Sequence, residues 1–594
     1  MLLIPVIFTF KVIAQPFQEN TAVSSVLPGV KKGCVKWVDF DVDGDYDILI
    51  SGETVSGDTT VIFRKDDDTF TDILAGLPSL KYSDASWSDF DNDNDPDLLL
   101  SGLQTTGDEM IPVSYLYLNN SGVFEQIPCE ITGEYGGSSK WGDLDNDGDY
   151  DLVICGNTGE NGVTEIYRNN GNYEFEKIAM DFVGIFDGEV DLGDYNNDSY
   201  IDILMCGFFK NAQNDTIRTL KVYRNDGDFS FTSISSPFVG MGQANVSWWD
   251  YDSDGDLDII ANGSTDAPTY LVYIYQNMGN DIFGNIGIEI FGTVNGDIAI
   301  GDYDNDGDED FLLTGFTSYN NQPVSVVYRN VGNNLFNKDY SVDLAEVEYS
   351  NTQWCDYDGN GNLDILLSGR SMQAEEAVTV VYDNKNSMIN IPPEKPQNLN
   401  VEIDYNMAYI SWDSSSDVET PSNGLTYNLR VGTIPFGTQI VSPLAGETGK
   451  MCLVIYGNVG HNTGYVLNDL GPGIYYFSVQ AVDNGFESSA FSADSSFVVA
   501  ISAFPEKEKK RKMQVIPNPA SSFVKITVVP NECIDCPIII YDIHGKEIKK
   551  TYPQRGGNDD YEIIWNLTDN TGLRVNNGTY IAKYGNEVAI IFVK

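Results

Sequence analysis

Histidine is nearly missing from this chain: His461 and His544 are the two in 594 residues. Nothing before residue 461 can therefore offer an imidazole as general base or zinc ligand. A Ser-His-Asp triad, an HExxH helix, a phosphate-binding loop and a dinucleotide fingerprint are also lacking. Basic residues are scarce, with 34 Lys plus Arg against 89 Asp plus Glu and a net charge of −55. Duplex nucleic acid needs a basic face, so no nucleic-acid partner is expected. The apolar run of residues 1–14 is too short to span a bilayer, and no later stretch could cross one. Of the eight cysteines, the six outside the C-terminal tail lack the spacing of a disulfide framework. Cys155 and Cys206 read as small buried groups, while Cys533 and Cys536 could bridge in an oxidising compartment. No Arg-Gly-Asp tripeptide occurs.

What the chain has in abundance is one acidic stretch, written seven times. Its first copy reads Trp37-Val-Asp39-Phe-Asp41-Val-Asp43-Gly44-Asp45-Tyr-Asp47-Ile-Leu-Ile-Ser-Gly52. Later copies start at Asp89, Asp143, Asp194, Asp250, Asp302 and Asp356, a period of 50 to 56 residues. Such a period signals an array of supersecondary units. Oxygen-bearing residues alternate at positions 1, 3, 5, 7 and 9. They are Asp39, Asp41, Asp43, Asp45 and Asp47 in the first copy, then Asp89, Asp91, Asp93, Asp95 and Asp97 in the second. The third has Asp143, Asp145, Asp147, Asp149 and Asp151, and the fourth Asp194, Asn196, Asp198, Tyr200 and Asp202. Asp250, Asp252, Asp254, Asp256 and Asp258 form the fifth, and Asp302, Asp304, Asp306, Asp308 and Asp310 the sixth. The seventh is Asp356, Asp358, Asn360, Asn362 and Asp364.

A hard cation takes six to eight oxygens from carboxylates, carbonyls and water, in a loop with Gly at its sharp bend. Position 7 would offer its backbone carbonyl, leaving its side chain as extra charge. Without a cation, carboxylates ~4 Å apart repel by roughly 1 to 4 kcal/mol per pair. The expected cofactor is calcium, up to seven ions, weakest in the charge-poor and glycine-free fourth turn. The EF-hand is excluded, because position 12 is apolar in every copy (Ile50, Leu100, Ile154, Met205, Ala261, Leu313, Leu367) where that loop needs Glu. Each turn instead runs into a short apolar strand.

Repeats of Asp-x-Asp-x-Asp-Gly-x-x-Asp followed by an apolar strand resemble the FG-GAP/VCBS type found in integrin alpha subunits. That resemblance implies an all-β fold with a seven-bladed β-propeller over residues 15–390. The start Phe17…Leu27-Pro28…Trp37 parallels Phe70…Leu77-Pro78…Trp87, so the N-terminus is expected to complete the last blade and remove the sheet edges. Trp37, Trp87, Trp141, Trp248 and Trp354 share one slot, filled by Leu192 and Ile300 elsewhere, and read as inter-blade core.

Residues 391–500 change character; Trp412, Tyr427 and the run from Leu470 to Val482 resemble a fibronectin type III sandwich, with Tyr476 in its tyrosine-corner slot. Residues 501–512 form a charged linker. In 513–594, Pro517-Asn518-Pro519, Tyr541-Asp542, Gly545-Lys546, Gly578-Thr-Tyr580 and the final Lys594 resemble the C-terminal sorting domain of the type IX secretion system. This implies a Bacteroidota-like source, the type IX machinery as partner, and a secreted or surface-attached product. Residues 1–14 fit an export signal, although the basic start is missing. The expected function is a calcium-rigidified binding or adhesion module for a glycan or protein. A polysaccharide-degrading enzyme and a purely structural surface protein are the other readings. Ligand contacts are expected on the variable loops 53–59, 103–111, 208–216, 316–322 and 370–376, with Phe208, Phe209 and Tyr319 as candidate contacts.

Overall fold

The computed structural model describes residues 15–594 apart from 228, 375, 447, 501–512, 518, 529–536, 543–545, 556–560 and 585–586. The expected export signal of residues 1–14, the expected linker of 501–512 and the Cys533–Cys536 pair lie outside the described residues. What is described is almost entirely β, with a single four-residue helix, Thr21–Ser24. The chain divides into two compact units, one up to Ala500 and one from Ile501 onward.

In the first unit, seven antiparallel strand sets follow the sequence repeat. The first strand of each set ends beside the acidic turn, and the second begins at its ninth position. Lys31–Val38 thus pairs with Asp47–Thr54, and Leu80–Ser88 with Asp97–Thr106. The register is the same throughout: Trp37 faces Ile48, Trp87 faces Leu98, Trp141 faces Leu152, Trp248 faces Ile259 and Trp354 faces Ile365. Leu192 and Ile300 take the same place opposite Ile203 and Phe311. A bulge at the start of most first strands sets this register, as at Gly137, where a Cβ would lie 1.9 Å from the Cys155 carbonyl oxygen.

First strands also pack beside one another in sequence order, and the seventh, Val347–Cys355, packs beside the first. The N-terminal strand Phe17–Glu19 pairs with Ala377–Asn384 of the last set, Phe17 opposite Asn384. The set that ends the series is therefore completed by the residues that begin it. Four of the five Trp stack on the aromatic at turn position 2 of the preceding set: Trp37 on Tyr357 at 5.0 Å, Trp141 on Phe90 at 5.9 Å, Trp248 on Tyr195 at 5.5 Å and Trp354 on Tyr303 at 6.1 Å, while Trp87 meets Phe124 edge-on at 6.0 Å. These rings are core and not a surface belt.

Residues 397–499 of the same unit form two three-stranded sheets. Gln397–Asp404, Met407–Asp413 and Gly464–Leu467 make one, Thr426–Gly432, Gly473–Val482 and Ser495–Val499 the other. Trp412, Tyr427, Leu429, Phe477 and Val479 fill the space between them. The expectation for Tyr476 is corrected. Tyr475 is the buried residue, and its hydroxyl donates to the Gly471 carbonyl at 2.8 Å. Neighbours in a strand face opposite ways, and only one of the two can reach back. The second unit is a separate pair of four-stranded sheets around Val524, Ile526, Ile540, Trp565 and Tyr580.

Candidate metal centres

Every turn is built the same way. The position-1 carboxylate accepts the backbone N–H groups of positions 5 and 6: Asp39 from Asp43 at 3.1 Å and Gly44 at 2.9 Å, Asp250 from Asp254 at 3.0 Å and Gly255 at 2.9 Å. Positions 4 and 6 are left-handed, with φ of 57° at Val42 and 96° at Gly44. Glycine at position 6 is strain-free, whereas Asn94 and Ser199 hold φ of 75° and 74° there. This curl brings alternate side chains to one centre. In at least five turns three carboxylates each offer an oxygen within 4.8 Å of one another, among them Asp39/Asp41/Asp43, Asp89/Asp91/Asp97, Asp143/Asp145/Asp151, Asp250/Asp252/Asp254 and Asp302/Asp304/Asp306.

Position 9 anchors the turn to the third strand. Asp97 accepts the Asn119 N–H at 2.8 Å, and Asp310 that of Asn330 at 2.7 Å. The second oxygens of Asp97, Asp258, Asp310 and Asp364, all buried, have no partner. Neither do Asp41 Oδ1, Asp145 Oδ1, Asn196 Oδ1 and Asp304 Oδ1. Lone acceptors left dry are costly, and a cation would satisfy them. Burial pushes the carboxyls up, Asp39 and Asp302 to about 7, Asp47, Asp89 and Asp250 to about 8, Asp258 to about 9 and Asp97 to about 10. Neighbouring aspartates add to the rise. The donor set is all oxygen, which suits a hard cation such as calcium; the residues fit that group.

Position 7 side chains turn to neighbours. Asp45 pairs with Lys65 at 2.9 Å, Asp149 accepts from Asn92 at 2.8 Å, and Asp256 from Asn197 at 2.7 Å. Asn92 and Asn197 hold position 4 of the preceding turn, so consecutive turns are tied together. The fourth turn buries Asp202 completely and Asp194, Asn196 and Asp198 in part. In the seventh, Asn362 donates to Asn360 at 2.7 Å.

Three sets of residues escaped sequence reasoning. Asn119, Asn169, Asn225, Asn277, Asn330 and Asn384 end the third strands, and each donates its side-chain amide to the carbonyl at turn position 2 of the preceding set. The available signal was a recurring Tyr-x-Asn run, which reads Tyr-Arg-Asn at 167–169, 223–225 and 328–330. Its arginines are the second set: Arg168 reaches Asp145 and Asp147 at 2.7 and 3.0 Å, and Arg329 reaches Asp304 and Asp306 at 2.8 and 2.6 Å. The third set comes from residues 390–487, which lie against the turns; Tyr465 donates to Asp143 Oδ2 and Asn462 to Asp194 Oδ2. His461 Nε2 stands 3.9 Å from Asp250 Oδ2 and is buried, which drops its pKa to about 4. Of the loop aromatics, Phe208 packs on Gly242 and under Arg218. Tyr319 is 68% exposed, its ring 4.3 Å from that of Phe291.

The FG-GAP-like repeat family matches residues 143–205, 194–261 and 250–313, each match running from one turn through the strand after the next. No curated protein matches the chain. Among solved structures, AofleA from Arthrobotrys oligospora is 9% identical, with a TM-score of 0.31, covering 57% of this chain and 87% of its own. A mutant of the Aleuria aurantia lectin, in complex with alpha-methyl-L-fucoside, is 9% identical at a TM-score of 0.30, covering 53% and 97%. The chicken CNTN1 FN1-FN3 domains are 12% identical at 0.14, covering 50% and 98%. Likeness this slight carries no inference about ligand. The matched repeats and the strand sets that recur with them support a repeat β-propeller over residues 17–384.

Proposed function

We propose that this chain is a secreted or cell-surface binding protein, whose propeller is seven-bladed and made rigid by calcium in its acidic turns. In this reading residues 15–390 are the propeller, 391–500 a fibronectin type III-like domain, and 513–594 a sorting domain for type IX secretion. One observation carries the proposal: buried, unpaired carboxylate oxygens recur from turn to turn around one rim. When bound, calcium supplies the positive charge those oxygens lack. Positions 1, 3, 5 and 9 would hold it through side chains, and position 7 through its carbonyl.

Recognition of a glycan or protein falls to the other ends of the strands, where 53–59, 103–111 and 316–322 emerge. The exposed Phe291–Tyr319 pair offers a flat apolar contact there. Binding without turnover is part of the proposal. A glycan and matrix-protein array probed with the full chain in calcium tests it. Retention of a ligand without release of fragments supports the reading; released oligosaccharide refutes it in favour of an enzyme. A chelator that leaves the melting temperature unchanged refutes the calcium claim.

A further inference from the structure

The acidic rim is not open to solvent as a bare ring, because the two-sheet domain of residues 391–500 and its leading segment touch every turn. In the first turn Lys450 Nζ donates to the Gly44 carbonyl at 2.7 Å, and Asp39 N–H to the Cys452 carbonyl at 2.8 Å. Asn94 of the second donates to the Ala445 carbonyl at 3.1 Å. At the third, Asn468 donates to the carbonyls of Asp145 at 2.9 Å and Asn146 at 2.6 Å. Asn462 reaches Asp194 of the fourth at 2.8 Å, and His461 faces Asp250 of the fifth. The Asp302 N–H of the sixth donates to the Asn484 carbonyl at 3.1 Å, and Asn390 N–H to the Gly361 carbonyl of the seventh at 2.8 Å. Val454 and Phe486 line a cavity of about 280 Å³ together with Lys36, Lys140 and Asp297 of the first strands and their approaches.

Charge makes this docking peculiar. Residues 391–500 carry eleven Asp plus Glu against three Lys plus Arg, a net of −8, and the turns present 31 Asp. Two acidic bodies in contact repel, and of the contacts above only that of Lys450 brings a positive charge; the rest come from uncharged donors, several of them to turn carbonyls and to the Asp194 carboxylate. Those acceptors are in place only while each turn keeps its curl. We propose that divalent-cation loading of the turns and docking of the 391–500 domain are one coupled equilibrium. The cations act as the neutralising layer between two anionic surfaces, and the domain in turn holds the turns in their binding shape. The inference rests on the metal reading above and goes beyond it, since rigid turns alone require no response from residues 438–468. Coupling is reciprocal: whatever factor calcium adds to docking, docking adds to calcium affinity.

The test uses the full chain, stripped of metal and titrated with calcium, following stoichiometry by calorimetry and amide hydrogen exchange of residues 438–468. Calcium is expected to slow exchange in that segment along with the turns. The combined variant Lys450→Ala, Asn462→Ala and Asn468→Ala removes contacts to the first, fourth and third turns without touching either sheet core. It should bind calcium about tenfold more weakly, and the deficit should shrink in high salt, which screens the repulsion. Calcium bound at full stoichiometry with unchanged exchange at 438–468, or equal affinity in the variant, overturns the coupling while sparing the metal reading. No calcium binding at all overturns both.

Discussion

Without bound metal, the propeller's stability should depend on pH in an unusual direction. Asp250 and Asp47 are buried carboxyls raised to about 8 in the folded chain, against an ordinary value of 3.8. A group whose folded pKa lies above its unfolded one binds more protons when folded, so its stabilising share is complete below about 4. It is lost as pH climbs through 7 and 8. Between pH 5 and pH 7 each such group withdraws roughly 2.7 kcal/mol, at 1.36 kcal/mol per unit. Shared protons among neighbours reduce the sum, yet two independent turns already approach the 5–15 kcal/mol of a typical domain. Metal-free protein, stripped by chelation and gel filtration, should therefore melt progressively lower from pH 5 to pH 8, by about 10 °C or more. Protein in millimolar calcium should hold a nearly constant melting temperature over the same range, since the ion replaces the proton. Scanning calorimetry at four pH values in both states reads this directly. A metal-free melting temperature that is flat or rises from pH 5 to pH 8 refutes the electrostatic account of the turns.

Other outcomes follow from single side chains. Asn225→Ala strips the Leu144 and Ile201 carbonyls of a buried donor and should lower unfolding free energy by about 2–4 kcal/mol in urea titration. Tyr475→Phe loses the bond to Gly471 and should lower it by about 1 kcal/mol, with Tyr476→Phe staying within about 0.5 kcal/mol; the reverse order would restore the sequence-based choice. Asn196→Asp adds charge to the fourth turn, so calcium titration should show that site tightening while the metal-free chain becomes less stable.

The period, the turn chemistry and the strand that follows each turn were legible in the residues, because a one-dimensional signal fixes each of them. Alternating oxygens need only local backbone to converge, and the aligned Trp slot reports a register set by one hairpin at a time. Even the pairing of Phe17 with the last set could be read, since a repeat fragment at one end answers a gap at the other. The choice between Tyr475 and Tyr476 could not, because strand alternation says that one of them is buried without saying which.

Contacts between distant segments were beyond reach for a different reason. The Asn225 amide meets a carbonyl 81 residues earlier, and His461 meets Asp250 across more than two hundred residues. Neither pairing leaves a mark in local pattern. By itself the sequence determined that acidic turns would recur on a β framework, since carboxylate spacing and apolar strands are properties of short stretches. Only the tertiary structure decided which surface those turns would face, because that depends on how a second domain, itself acidic, settles against them.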